Sequence, residues 1–344
     1  MNTNFSESKL RVAVFVRNPN AGGGIQIFAK ELAERLPGDI EMCFISKKKI
    51  SELSKGISLL SESCIKNFKF NLRSFDIILM HQFSIKFYLI ARLANRPIIV
   101  VSHIWDMKKQ DFKSVSNRQI KKLLLRDRKL NLIFVSESVK HNLGLRGEVI
   151  PNRSPFSRII SNHDVAKKDL LFVGRFTVEK GVHVFLEIVK YLNISNYHPV
   201  SATMIGEGPE IRNLEKSIID LNLREQVKLV PWISREALKK IYIEHRILIV
   251  PSIWDEPYGL VAAEGMSLGL KVFCSNRPGL IEATLNRAIY FDPSSITSVI
   301  PLIKNELERV PEPRNENCND LSLELDFSRT VEQYYNLFHK IRSE

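Results

Sequence analysis

Short runs of β-branched and aliphatic residues alternate with longer amphipathic stretches from one end of this chain to the other. That alternation restricts it to an α/β fold built on parallel sheet. In the first half the strand candidates are residues 11–17, 40–45, 76–81, 98–103 and 132–136. A Gly22-Gly23-Gly24 turn follows the first of them, and a helix over 25–36 is closed by Pro37 and Gly38. A second series starts with the strand DLLFVG at 169–174 and continues through helix 181–192, strand 201–206, helix 210–221 and strand 226–230. Helix 235–245, strand 247–250, a helix to about Leu268, strand 271–275 and further helices complete it.

Between the two series lies Pro151-Asn152-Arg153-Ser154-Pro155, whose prolines disfavour helix and limit pairing. The 344 residues suit two domains better than one. The expected boundaries are 1–152 for an N-terminal Rossmann-like domain and 153–325 for a C-terminal one. A helix over 326–344 is expected to pack back near the N-terminal domain. Two doubly wound domains facing across a cleft would bind ligand at the carboxyl ends of their strands, so chemistry is expected in the loops that follow strands.

Composition excludes several alternatives. With 44% hydrophobic and 26% charged residues the chain is globular. It has no apolar run of about 18 residues and no basic start followed by an apolar stretch, so a cytoplasmic protein is expected. Cys43, Cys64, Cys274 and Cys318 are widely separated and form no zinc pattern, as reduced structural thiols would. The net charge of +12 is unevenly placed. Residues 1–150 hold 26 Lys and Arg against 13 Asp and Glu, whereas the remainder holds 24 against 25. Lys108 to Lys129 carries nine cations, among them Lys121, Lys122, Arg126 and Arg128, against Asp111 and Asp127. Apolar Ile120, Leu123, Leu124 and Leu125 accompany them, so this segment suits an anionic membrane surface or a solvated helix face. No nucleic-acid motif accompanies the charge, and no nucleic-acid partner is expected.

The most informative stretch runs from Glu256 to Glu264. The strand ILIVPS ends at Ser252, a polar loop follows, and Pro257 fits the first position of a helix that Gly269 stops. The first turn, Tyr258, Gly259, Leu260 and Val261, would present free N–H groups to an anion. Glu256 precedes that turn and Glu264 lies two turns in. Carboxylates beside a phosphate site suit sugar or ribose hydroxyls. A dipole-facing acid for Glu256 and a salt-bridged Glu264 fit the spacing as well.

The stretch P-S-x-x-D-E-P-Y-G-L-V-A-A-E-G-M-S-L-G resembles the Glu, seven residues, Glu motif of glycosyltransferase family 4, retaining group 1 enzymes of the GT-B fold. Val173-Gly174-Arg175-Phe176-Thr177-Val178-Glu179-Lys180-Gly181 is similar to that family's G-R-x-x-x-x-K-G segment. Met204-Ile205-Gly206-Glu207-Gly208-Pro209 and Pro151-Asn152 also resemble family segments, in the family's order.

The resemblance implies a metal-independent enzyme without cofactor that moves a sugar from a UDP- or GDP-sugar to a glycan or lipid-linked saccharide, in lipopolysaccharide or surface-polysaccharide synthesis. Under it Arg175 and Lys180 clamp the diphosphate, Glu256 meets the transferred sugar and Glu264 the ribose. Gly174, Gly206, Tyr258, Gly259, Leu260 and Val261 line the donor site. Gly23 and Gly24 approach the diphosphate, and His103 sits near the sugar, with His81 the less favoured histidine. Asp106 either orients His103 or caps a helix. Arg277-Pro278-Gly279-Leu280-Ile281-Glu282 departs from the family's Gly-Gly-x-x-Glu, which leaves the donor open. A nucleotide-sugar epimerase and a non-catalytic nucleotide-sugar-binding protein are the alternatives.

Overall fold

The computed structural model describes residues 9–16, 24–46, 57–61, 72–103, 119–156, 168–195, 199–309 and 323–344. They form two compact units, 1–152 with 328–344, and 153–327.

The first unit is a seven-stranded parallel sheet. Its strands are β1 (Leu10–Phe15), β2 (Ile40–Ser46), β3 (Ile57–Ser61), β4 (Ile77–His81), β5 (Ile98–Ser102), β6 (Leu130–Phe134) and β7 (Glu148–Val149), in the order 3-2-1-4-5-6-7. β1 and β4 are buried at nearly every position, the signature of a parallel sheet covered on both faces. Helices α1 (Gly24–Arg35), α2 (Ile85–Ala94) and α3 (Glu137–Leu143) follow β1, β4 and β6. Ser136 caps α3 by accepting from the Val139 N–H at 3.1 Å, and Gly144 closes it in the left-handed region.

The second unit has six parallel strands: β8 (Lys168–Val173), β9 (Ala202–Ile205), β10 (Val227–Val230), β11 (His245–Val250), β12 (Lys271–Ser275) and β13 (Ile289–Phe291). Their order is 10-9-8-11-12-13. Its core packs Phe172, Phe176 and Phe185 against Val182, Leu186 and Leu192 of helix α4 (Val182–Ser195), with Met204 and Ile249 from the sheet. Each such side chain fully buried contributes about 1.5–3 kcal/mol. Helices α5 (Ile211–Asp220), α6 (Arg235–Glu244), α7 (Leu260–Ser267) and α8 (Pro278–Ala283) connect the later strands, α9 (Ile300–Glu308) follows β13, and α10 (Phe327–Ser343) belongs from Ser328 onwards to the first unit. β3, β7 and β13 are additional to the strands the periodicity predicts.

In both sheets the order reverses once, between β1 and β4 and between β8 and β11. Connections leave to opposite sides there, and a crevice opens at the strands' carboxyl ends. No helix among the described residues is long and apolar enough to cross a membrane.

Candidate donor site

In the second unit the loops that follow β8 and β11 flank the reversal point, so residues far apart in sequence meet there. The loop after β8 ends in a single 3-10 turn, Val178–Lys180, and Gly181 stops it at φ 70°. A Cβ at Gly181 would overlap the carbonyl oxygen of Pro251, so only glycine permits this approach. The Ile253 N–H then donates to the Glu179 carbonyl at 2.9 Å, which locks the two loops together.

Their union brings Lys180 Nζ to 2.5 Å from Glu256 Oε1. The Ser252 hydroxyl donates to the same oxygen at 2.7 Å, and the ammonium lies 5.5 Å from the centre of the Trp254 ring. Glu256 is only 6% exposed. A carboxylate so removed from water needs compensating donors, and Lys180 and Ser252 supply them.

The helix that carries Glu264 starts at Leu260, later than the expected Pro257. Gly259 precedes it at φ 95° and cannot continue a helix. Its left-handed turn also brings the backbone against Leu280, where a Cβ would crowd the side chain. Glu264 therefore lies just over one turn into α7, one turn nearer its start than expected. Among the described residues the N–H groups of Gly259, Leu260 and Val261 have no backbone acceptor, and no acid occupies the first turn. Tyr258 is buried, and burial holds its hydroxyl far above the usual phenol range. Gly279, at the start of α8, packs directly on the Glu256 carbonyl.

Glu264 is 5% exposed and engaged at both oxygens. The Tyr242 hydroxyl donates to Oε2 at 3.0 Å, and Arg235 approaches Oε1 at 3.4 Å while its guanidinium stacks 4.7 Å over the Phe156 ring. Burial first, and the Glu264 charge second, raise the Tyr242 pKa well above its ordinary value, so it remains a donor. The salt-bridged reading of Glu264 is what the fold displays. Lone pairs on the carboxylate still remain for a ligand hydroxyl.

Arg175 leaves the end of β8 exposed, with no side-chain partner among the described residues. Gly174 donates to the Ile205 carbonyl at 3.0 Å, and Gly206 lies so close over the Gly174 carbonyl that a side chain could not fit. Arg277 reaches Asp255 at 3.6 Å, and its Nε is buried without a partner among the described residues. Ser252, Trp254, Arg235 and Tyr242 contact the expected site residues and were not singled out from the sequence. Of these only Ser252 lay inside a recognisable motif.

His103 and Gly24 belong to the first unit, while Gly23 and Asp106 lie outside the described residues, as does Lys108 at the start of the basic segment. Gly24 opens α1 with free space around it. His103 is buried, and both ring nitrogens are occupied. The Asn152 amide nitrogen lies 3.3 Å from Nδ1, and His81 Nδ1 lies 2.9 Å from Nε2. Since the Asn152 NH2 donates, His103 carries its proton on Nε2 and gives it to His81 Nδ1. The His81 proton is then on Nε2, which is buried with no partner among the described residues. Phe28 packs its ring edge-on against both imidazoles, each at 5.7 Å.

Burial lowers the His81 pKa to about 3, and burial with the His81 charge lowers that of His103 well below its usual value. Both rings are neutral when folded and ionisable when unfolded. Stability is therefore fully present above about pH 6.5 and is lost as pH falls from there, His81 contributing down towards pH 3 and His103 in the same direction. Chemical denaturation between about pH 6.5 and 4 is expected to show a shallower loss in the His81→Gln/His103→Gln variant than in the parent. Equal slopes would refute the neutral pair.

Residues 154–316 match the family described as glycosyl transferases group 1. The second unit is a group 1 glycosyltransferase domain. Over 127 residues the chain is 32% identical to an uncharacterised glycosyltransferase, MJ1607, of Methanocaldococcus jannaschii, covering 37% of this chain and 32% of that protein. Over 142 residues it is 30% identical to the O-antigen chain mannosyltransferase RfbU of Salmonella typhimurium, covering 41% and 39%. The matched segments thus span about a third of these relatives. In fold the likeness covers both units. The Anabaena protein HepE, solved with UDP and glucose, superposes with a TM-score of 0.78 at 14% identity over 96% of this chain and 100% of its own. The two units have the GT-B fold.

Proposed function

We propose that the chain is a retaining glycosyltransferase that moves a sugar from a UDP- or GDP-sugar to a glycan or lipid-linked saccharide during bacterial lipopolysaccharide or surface-polysaccharide assembly. The observation that carries this reading is the junction of Lys180 and Glu256 at the β8–β11 reversal, together with the N–H groups at the start of α7 that have no backbone acceptor among the described residues. Arg175 and Lys180 take the diphosphate, with those N–H groups, and hold the charge that grows on the departing nucleoside diphosphate. Glu256, released from Lys180 as the phosphate takes the ammonium, accepts from sugar hydroxyls. Glu264 receives the ribose. With protein cations in that role the reaction needs no resident metal or cofactor.

The O-antigen mannosyltransferase similarity supports a polysaccharide setting, and the HepE complex supports a UDP-sugar donor. The saccharide acceptor is assigned to the first unit, whose basic segment Lys108 to Lys129 faces an anionic membrane surface on the cytoplasmic side. The group 1 glycosyltransferase match and the O-antigen mannosyltransferase similarity favour sugar transfer over the epimerase and binding-protein readings.

Thermal unfolding in the presence of UDP-, GDP- and ADP-sugars tests the donor site. A concentration-dependent rise with one nucleotide is expected, about 2.7 kcal/mol at a hundredfold excess over Kd. No rise with any of them would overturn the proposal.

A further inference from the structure

At the end of the first unit's sheet away from His81 and His103, the entry to β6 and the turn between α3 and β7 enclose an open pocket of about 590 Å³. Its floor is apolar, made by buried Leu125, Leu130 and Leu145. Its rim carries three arginines, Arg126, Arg128 and Arg146. All three are exposed, and no side-chain hydrogen bond or ion pair engages any of them among the described residues.

The acid in the lining does not neutralise them. Asp127 receives the Tyr88 hydroxyl at 2.8 Å and the Lys129 N–H at 3.0 Å, and Arg92 lies 3.5 Å away. The Lys129 N–H, then Tyr88 and Arg92, hold its pKa below the usual carboxylate range, so it serves as a fixed staple between α2 and the turn before β6. Nearby Glu137 and Glu148 pair with Lys140 and Lys340. Three guanidiniums without counter-charges among the described residues, around one hollow, are a ready anion site, since each offers a planar pair of donors to phosphate oxygens.

The surroundings decide which anion. Leu123 and Ile120, on the helical stretch 119–124 that leads into Leu125, are 68% and 47% exposed. Leu89 and Leu93 are each 55% exposed on α2, next in sequence to Tyr88 and Arg92, which hold Asp127. Aliphatic side chains thus flank the arginines from two elements, as they would where phosphate is attached to acyl chains in a membrane interface.

We infer that Arg126, Arg128 and Arg146 form a discrete pocket for the phosphate of an anionic membrane phospholipid. This deepens the membrane reading of the basic segment, replacing a diffuse attraction by a single headgroup site. It does not depend on the donor site.

Two probes separate the site from the segment. Calorimetry with monomeric dihexanoyl phosphatidic acid reports the pocket, and sedimentation with phosphatidylglycerol–phosphatidylcholine vesicles reports the whole basic surface. Arg126→Gln/Arg128→Gln/Arg146→Gln is expected to weaken monomeric lipid at least about tenfold. Lys121→Gln/Lys122→Gln/Lys129→Gln is expected to change it less than about twofold while reducing vesicle binding at low salt. All the substituted side chains are exposed or half-buried, and unchanged unfolding midpoints confirm intact folds. Equal losses of monomeric lipid in the two triple variants would overturn the pocket. Displacement of the lipid by equimolar inorganic phosphate would overturn the lipid assignment in favour of a free-anion site. Persistence of the nucleotide response in the arginine variant is expected in either case, so failure here is distinguishable from failure of the donor reading.

Discussion

Replacing Lys180, Glu256 or Arg175 by alanine is expected to lower turnover at least about tenfold in each case, a loss of roughly 1.4 kcal/mol or more of transition-state stabilisation. The three substitutions should not look alike in stability. Glu256 is buried and depends on Lys180 and Ser252, so Lys180→Ala strands a carboxylate with one donor left and should destabilise the second unit as well as slow it. Arg175 is exposed with no side-chain partner among the described residues, so its removal should leave the unfolding midpoint unchanged. Arg175→Ala is therefore the cleanest probe. Steady-state rates with the nucleotide-sugar identified by thermal protection, beside the unfolding midpoint, supply both readouts. Near-parental turnover in a folded Arg175→Ala protein would remove the diphosphate role, and retained turnover in Glu256→Ala would remove the sugar role.

The strands nearest the two sheet centres were the most legible in the sequence. β4, β5, β8, β11 and β12 are apolar runs bounded by polar or glycine-containing segments, and burial on both faces leaves little room for other residues. β3, β7 and β13 were not legible. β3 and β7 are edge strands, and β13 has only three residues, too few for a period to show.

At the site, the sequence placed Lys180 and Glu256 in loops that follow strands. Their contact needed the order reversal, because only a β8–β11 neighbourhood joins residues 76 apart. The partners of Glu264 were invisible for a related reason. Tyr242 and Arg235 come from α6, and no spacing rule links a helix residue to an acid in the next helix. The late start of α7 was a local misreading: Pro257 is a good first helical residue, but the left-handed Gly259 two residues later overrides it. The histidines show a third limit. Each ends or follows a strand, as the sequence said, yet their contact makes one imidazole the partner of the other.

Gly181→Ala is expected to be among the most damaging conservative changes in the second unit. Two penalties coincide there: the backbone is left-handed at φ 70°, and the new Cβ would overlap the Pro251 carbonyl oxygen, which is backbone and cannot rotate away. The strain alone costs about 1–2 kcal/mol, and the overlap adds about 1–3 kcal/mol through displacement of the loop. The midpoint of thermal unfolding should then fall by several degrees, at about 2–4 °C for each kcal/mol in a domain of this size. Because the same approach sets Lys180 against Glu256, nucleotide-sugar protection should weaken together with stability. Gly38→Ala is the control, since a Cβ there meets open space, φ is not left-handed and the residue has no assigned role at the donor site. That change should move neither the midpoint nor the donor response. If Gly181→Ala unfolded at the parental temperature, the close packing of the β8 and β11 loops could not be what holds the ammonium in place, and the geometric basis for the donor site would fall with it.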